Sequence, residues 1–492
     1  MEFDLSFGVR GGVARGRRPS DGAPFRLLLV GDFSGRGSRA GEERPPLRRP
    51  LVIDAGDLDA GLARLEAALS VEVPGAAPEV ARFASTDDFH PDGLFARLAA
   101  FETPRGLRAA LASPAPGPDT FAAVEAWLQG VGAAPAPAGV EAALPGATAA
   151  AVEQSSDSTL ERLLGRGPAP APAARGASGV INDLIAQVVK PHLTADVGAR
   201  RAPLLAAVDE VLTRQMRAVL GAPHFRALEG LWRGVDRVAR TLDTDAELEI
   251  ALLDADRAAL AAALPAPGGD LEASALHRLL VGDEARGWSL IAVEPSFDRT
   301  RGDLSLLAAL AALAARAGAA LLADVRADAP DGDAAFWQAL RESPLADRIG
   351  VGFPRVLARL PYGKKADPVS SFPFEELPPG SGADPAHRVW GSAALALAQG
   401  LGAAFRGDGW DLDAGGAFEV DELPAHTYDD GGESRLVPAT EVAVNERAAT
   451  GLRSQGLTPL IPRVDRASAR CPGISSIAIS PAALSGPWSA AD

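Results

Sequence analysis

Apolar and polar positions alternate at the start of the chain. Phe3, Leu5, Phe7 and Val9 interleave with Asp4, Ser6 and Gly8, the period-two pattern of a half-buried strand. That strand fits two roles: the first strand of the local sheet, or an arm that adds itself to a neighbouring subunit. Pro24 to Val30 carries FRLLLV, a short apolar strand leading into GDFSGRG, Gly31 to Gly37. The spacing then turns helical at Asp57 to Leu69, with Leu58, Leu62, Leu65 and Leu69 on one face. It does so again in RFASTDDFHPDGLFARLAAF, Arg82 to Phe101. There Asp88 or His90 marks an N-terminus, Pro91 suits the first turn, and Leu94, Leu98 and Phe101 form the stripe.

From about Gly132 to Ser178 the pattern dissolves into Ala, Pro and Gly, the composition of a semi-stiff linker. One island interrupts it, STLERLLGR, Ser158 to Arg166. Ser158 and Glu161 have capping-box spacing, and Leu160, Leu163 and Leu164 face one way. A helix this short is marginal alone, so it reads as a docked spur or as a peptide recognised by a partner. After Ser178 come three helical segments, GVINDLIAQVV, LLAAVDEVLTRQMRAVL and HFRALEGLWRGVDRVARTL. Strands then alternate with helices: LEIALL, a helix near Ala255 to Ala263, another near Leu276, WSLIAV, a helix around Leu306, and AALLADV. This predicts an α/β (α+β) class with helices packed on mixed sheets. The expected organisation is a domain at 1–131, a linker at 132–178 with a short helix near 158–166, and a second domain at 179–492.

The densest stretch is FWQALRESPLADRIGVGFPRVLARLPYGKK, Phe336 to Lys365. It holds a Trp, apolar helical stripes, a Gly-Phe-Pro-Arg turn and a Pro-Tyr-Gly turn, and reads as a docking and packing element. Pro354 fixes its own φ and pushes Phe353 extended, which sets the directions of Arg355 and Arg359. Arg355, Arg359, Lys364 and Lys365 are candidate ion-pair partners of Glu375 and Glu376, within the chain or across subunits. Trp232 and Arg233 suggest a buried aromatic beside an Arg that pairs or stacks.

Composition narrows the function. The 492 residues exceed one core, and the net charge of -16 argues against non-specific nucleic-acid binding. A single cysteine, Cys471, allows no intrachain disulfide and no thiolate metal cluster. MEFDLSFGVRGG lacks the basic and apolar regions of a secretory signal. The most membrane-like run, Leu306 to Ala323, is broken by Arg316 and bounded by Asp303 and Asp324; it reads as a buried helix. GDFSGRG lacks the Lys and the spacing of a phosphate-binding loop.

Catalytic chemistry finds no foothold either. The six histidines have no metal-ligand spacing, and His90 with Asp87, Asp88 and Asp92 reads as a capped, solvated turn. There is no G-x-S-x-G elbow, and Cys471 has no basic partner nearby in sequence. No catalytic, cofactor-binding or metal-binding residue is expected.

Several segments together resemble the contractile sheath of the bacterial type VI secretion system, built from a small and a large subunit. PFRLLLVGDFSGR and RFASTDDFHPDGLFARL are similar to the small subunit. The large subunit is matched by HFRALEGLWRGVDRV, FWQALRESPLADRIGVGFPRVLARLPYG, FPFEEL, VWGSAALALAQ, GWDLDAGGAFEVDELPAHTY, PATEVAVNER and LRSQGLTPLI, in that order. The resemblance implies a fusion of the two subunits and a cytoplasmic bacterial protein with no membrane insertion. It implies self-assembly into a helical polymer around an inner tube protein, contact with a baseplate, and disassembly by a ring ATPase. Phe3, Leu5, Phe7, Val9, Arg355 and Arg359 are then candidates for subunit interaction. Leu160, Leu163 and Leu164 are candidates for ATPase recognition. Large sheath subunits continue through an aromatic-rich stretch and a C-terminal strand that laces into a neighbour. This chain stops at Asp492, so that portion is expected to be a separate polypeptide or lost. If lost, an accessory adaptor, capping the sheath or contacting the baseplate, is the alternative.

Overall fold

A run of apolar residues with no polar alternation forms a strand only where both faces of the sheet are covered. FRLLLVG, strand β1 (Phe25–Gly31), meets that condition, with Leu27, Leu28 and Leu29 wholly inaccessible to solvent. The structure, a computed structural model, describes residues 19–39, 46–132 and 197–489, apart from residues 21, 115, 266–268, 283–284, 328–331, 383, 431 and 481. The described residues fall into two compact units. The first takes in those of Met1–Val71, Glu79–Arg97 and Val219–Asp492; the second, those of Glu72–Pro78 and Leu98–Ala218.

In the first unit, strand β2 (Leu51–Ile53) follows β1, then helix α1 (Leu58–Arg64) and the hairpin of β3 (Ala68–Val71) and β4 (Glu79–Arg82). The helix expected over Asp57 to Leu69 thus ends early. Glu66 takes a φ of 52°, which closes the helix, and Leu69 lies on β3. Spacing alone could not separate these, because Leu65 and Leu69 stand four residues apart in either case. Helix α2 (Pro91–Arg97) likewise stops before Leu98, whose backbone is extended.

Strands β5 (Leu248–Asp254), β6 (Leu290–Val293), β7 (Ala320–Asp324) and β8 (Ile349–Phe353) then alternate with helices. With β9 (Thr458–Pro459) they complete a seven-stranded sheet of order β9-β8-β7-β6-β1-β5-β2. Every neighbouring pair is parallel except β2, which runs antiparallel to β5 at one edge. The first strand among the described residues therefore sits inside the sheet. Phe25 to Gly31 registers against Leu248 to Asp254 on one side, and Leu27 to Val30 against Leu290 to Val293 on the other.

One face of the sheet, with Leu28, Val30, Ala251, Leu253, Ile291, Val293 and Leu321, packs against the run Leu306 to Ala314. That run is part of a buried helix, Arg301–Arg316, and among the described residues no helix is long and apolar enough to cross a membrane. The sheet also packs against the helix Ala393–Asp408, which lies along the helix Pro223–Leu242. Their approach is close: a Cβ on Gly402 would fall 2.6 Å from the tip of the Leu242 side chain, which would have to shift.

The second unit is helical, built from Glu102–Ala112, Pro118–Gly132 and the part of Val197–Gly221 up to Ala218. Leu111, Phe121, Val124, Leu128, Leu204, Val208 and Leu212 are among its buried side chains, with Arg108 paired to Asp209 at 2.5 Å.

Candidate functional site

The helix Pro223–Leu242 buries nearly all of one face, and a charged residue, Glu229, lies within that face at 0% exposure. A buried carboxylate needs partners. Glu229 Oε1 accepts from Arg359 Nε at 2.6 Å, Arg233 Nε at 3.2 Å and the Tyr362 hydroxyl at 2.9 Å. Arg359 also forms a two-pronged pair with Glu376, at 2.6 and 2.9 Å, and its guanidinium lies 4.0 Å from the centre of the Tyr362 ring. Glu376 in turn accepts the Tyr362 backbone N–H at 2.8 Å.

The electrostatics follow from this arrangement. Burial alone would raise the Glu229 carboxyl; Arg359 and Arg233 outweigh it and hold Glu229 below the usual carboxylate range. Burial would likewise depress Arg359, but Glu229 and Glu376 raise it. Burial, followed by the charge of Glu229, pushes the Tyr362 hydroxyl up, so it stays a donor. Neighbouring Trp232 is wholly buried, donates Nε1–H to Phe33 O at 3.0 Å and meets the Phe33 ring edge-on.

A second set of contacts ties α2 to the segment after the Pro-Tyr-Gly turn. The Asp92 carboxylate accepts from four groups, the backbone N–H and hydroxyl of Ser370 and of Ser371, at 2.6 to 3.2 Å. Burial works against the charge, but these donors bring the carboxyl down to about 2. Phe95 packs on Phe372, with ring centres 5.0 Å apart. His90 meets Tyr362 edge-on at 4.9 Å and accepts the Asp92 N–H at Nδ1.

The other expected site residues are placed as follows. Arg355 forms a two-pronged pair with Glu441, at 2.9 and 2.6 Å. Lys364 meets Glu375 through its backbone N–H, at 3.2 Å. Phe3, Leu5, Phe7 and Val9 lie outside the described residues, as do Leu160, Leu163 and Leu164 and the helix expected in GVINDLIAQVV. Glu229, Glu441 and Asp92 were not anticipated as anchors. The signal for Glu229 was present: a lone Glu between Leu228 and Leu231, four residues before Arg233.

Chemically, the site can lock segments together. Cys471 is buried, and burial pushes its thiol up to about 12. Among the described residues no three His, Cys, Asp or Glu side chains are placed to hold a metal ion.

Two similarities bear on identity. Over 290 residues the chain is 31% identical to the type VI secretion system sheath protein TssC1 of Pseudomonas aeruginosa, an alignment covering 52% of this chain and 57% of that relative. The chain thus spans little more than half the length of the curated relative it matches. Residues 203–335 and 322–478 match the family described as VipB: EvpB/VC_A0108, tail sheath N-terminal domain. Glu229, Arg233, Arg359, Tyr362 and Glu376 all lie in that span, which takes in more than half of the chain. The chain belongs to the VipB tail-sheath family.

Proposed function

We propose that the chain is a structural subunit of a type VI contractile sheath, with a small-subunit-like segment fused ahead of a large-subunit-like one. It polymerises into a helical tube around an inner tube and drives that tube's ejection. One observation supports the fusion above the others. Strand β1, from the segment that resembles the small subunit, lies between β5 and β6, both in the family-matched span. The action is mechanical, and no step calls for a catalytic group. A heterologous interface that fails to close a ring generates such a filament. The partners are further copies of the chain, the inner tube protein, a baseplate and a disassembling ring ATPase.

Electron microscopy of the full chain, alone and coexpressed with other sheath polypeptides, tests this. Tubes or rings are expected. A protein that stays monomeric in every coexpression contradicts the proposal. One that decorates preformed sheath without forming tubes is an accessory adaptor.

A further inference from the structure

Acids crowd the carboxyl ends of the parallel strands. Asp32 follows β1, Asp254 closes β5, Glu294 follows β6 and Asp324 closes β7. The sheet order reverses here, because the chain passes from β5 across β1 to β6. Loops diverge at such a point and leave a crevice. Three of the four acids have donors aimed at them. Asp32 accepts the backbone N–H groups of Arg36 and Gly37, each at 2.8 Å. Asp254 accepts from Ser34 N–H at 2.9 Å and from the Arg36 guanidinium. Asp324 accepts the Ser392 hydroxyl at 2.6 Å and Ala393 N–H at 2.8 Å.

No hydrogen bond reaches the Glu294 side chain among the described residues. Its backbone N–H donates to Val30 O at 2.8 Å, which fixes it beside the end of β1. Its Cβ lies 3.4 Å from where a Cβ on Gly31 would sit. The charged groups facing it are Asp32 from the loop after β1, Asp324 from β7, Arg257 from the helix after β5 and Arg355 from the turn after β8. Both cations are engaged, Arg257 by Asp303 and the Ser296 carbonyl, Arg355 by Glu441. Glu294 also lines a cavity of about 40 Å³ with Asp32, Ser38, His224, Leu228 and Leu231. That space suits a water-sized group and falls far below the few hundred Å³, on the order of 300, of an organic-ligand pocket.

We propose that Glu294 carries a proton in the folded chain and that losing it weakens the seam between β1 and β6. Three carboxyls gathered here, with the nearby cations committed elsewhere, cannot all ionise without destabilising the fold. Glu294 is half-buried; the burial it has, then Asp324 and Asp32, push its carboxyl up to about 8, against partial opposition from Arg355 and Arg257. The folded chain therefore keeps a proton that the unfolded chain releases above its ordinary value of 4.5. Stability falls as pH rises from 4.5 towards about 8 and levels beyond it. The seam joins the N-terminal segment to the family-matched span, so mildly alkaline solution loosens the sheet where the two meet.

Glu294→Gln keeps the side chain's shape and removes its titration. Thermal melts of the full-length protein and this variant should coincide near about pH 4.5 and separate by several degrees near about pH 9, the variant melting higher. A difference infrared spectrum at neutral pH should show a protonated-carboxyl band in the wild type that the variant lacks. If the variant does not fold, Asp32→Asn should shift the wild-type alkaline transition to higher stability at the same pH. Melting curves that stay parallel across the range, or absence of the infrared band, overturn the proposal. Magnesium or calcium that restored alkaline stability to the wild type alone would assign the site to a bound cation instead.

Discussion

Arg359 and Glu229 are both nearly inaccessible to water, so neither can lose its partner without leaving a bare charge inside. Arg359→Ala should lower stability by about 3–5 kcal/mol in urea unfolding. Replacing Arg359 with Met, Glu229 with Gln and Glu376 with Gln together should lower it by less than the single changes summed, because neither carboxylate is then left buried without the guanidinium. A triple-mutant cycle reads the difference. Asp92 makes a separate pH prediction. Its folded carboxyl sits at about 2 against an ordinary 3.8, so its contribution is complete above 3.8 and lost as pH falls through 2. Asp92→Asn should remove about 1–2 kcal/mol at neutral pH after solvent screening and narrow its deficit towards about pH 2. Acid titration of both proteins followed by circular dichroism checks it. At this scale the sequence was only partly legible. Arg359 and Glu376 stand out as opposite charges near a turn, but Glu229 lies 130 positions from Arg359 and only the fold brings them together.

Most individual elements could be read from local periodicity. FRLLLV, LEIALL and AALLADV are strands, and the Leu306 run is a helix. What local pattern cannot carry is pairing. Nothing in FRLLLV names its neighbours, which lie in β5 and β6 far along the chain. The hairpin of β3 and β4 was missed for a related reason, since its leucine keeps helical spacing with those before it. The interior position of β1 leads to a direct test. Two polypeptides divided between residues 133 and 196 should copurify when coexpressed. The larger one made alone should aggregate or melt without cooperativity, because β5 and β6 would face a missing strand. A larger fragment that melts like the intact chain would contradict this.

Across the whole molecule, the family was legible from ordered motifs, because residues that pack a shared framework keep their spacing. The two compact units were not, because the first draws residues from both ends of the chain. That feature also bears on biosynthesis. β1 leaves the ribosome early, yet the partner of Phe25 is Leu248, and β6 lies further still. At ordinary elongation rates the nascent chain carries an unpaired, largely apolar strand for roughly ten to forty seconds before its neighbours are made. An exposed segment of that composition is prone to aggregate or to be held by a chaperone. Slowing translation between the two regions should therefore lower the soluble yield.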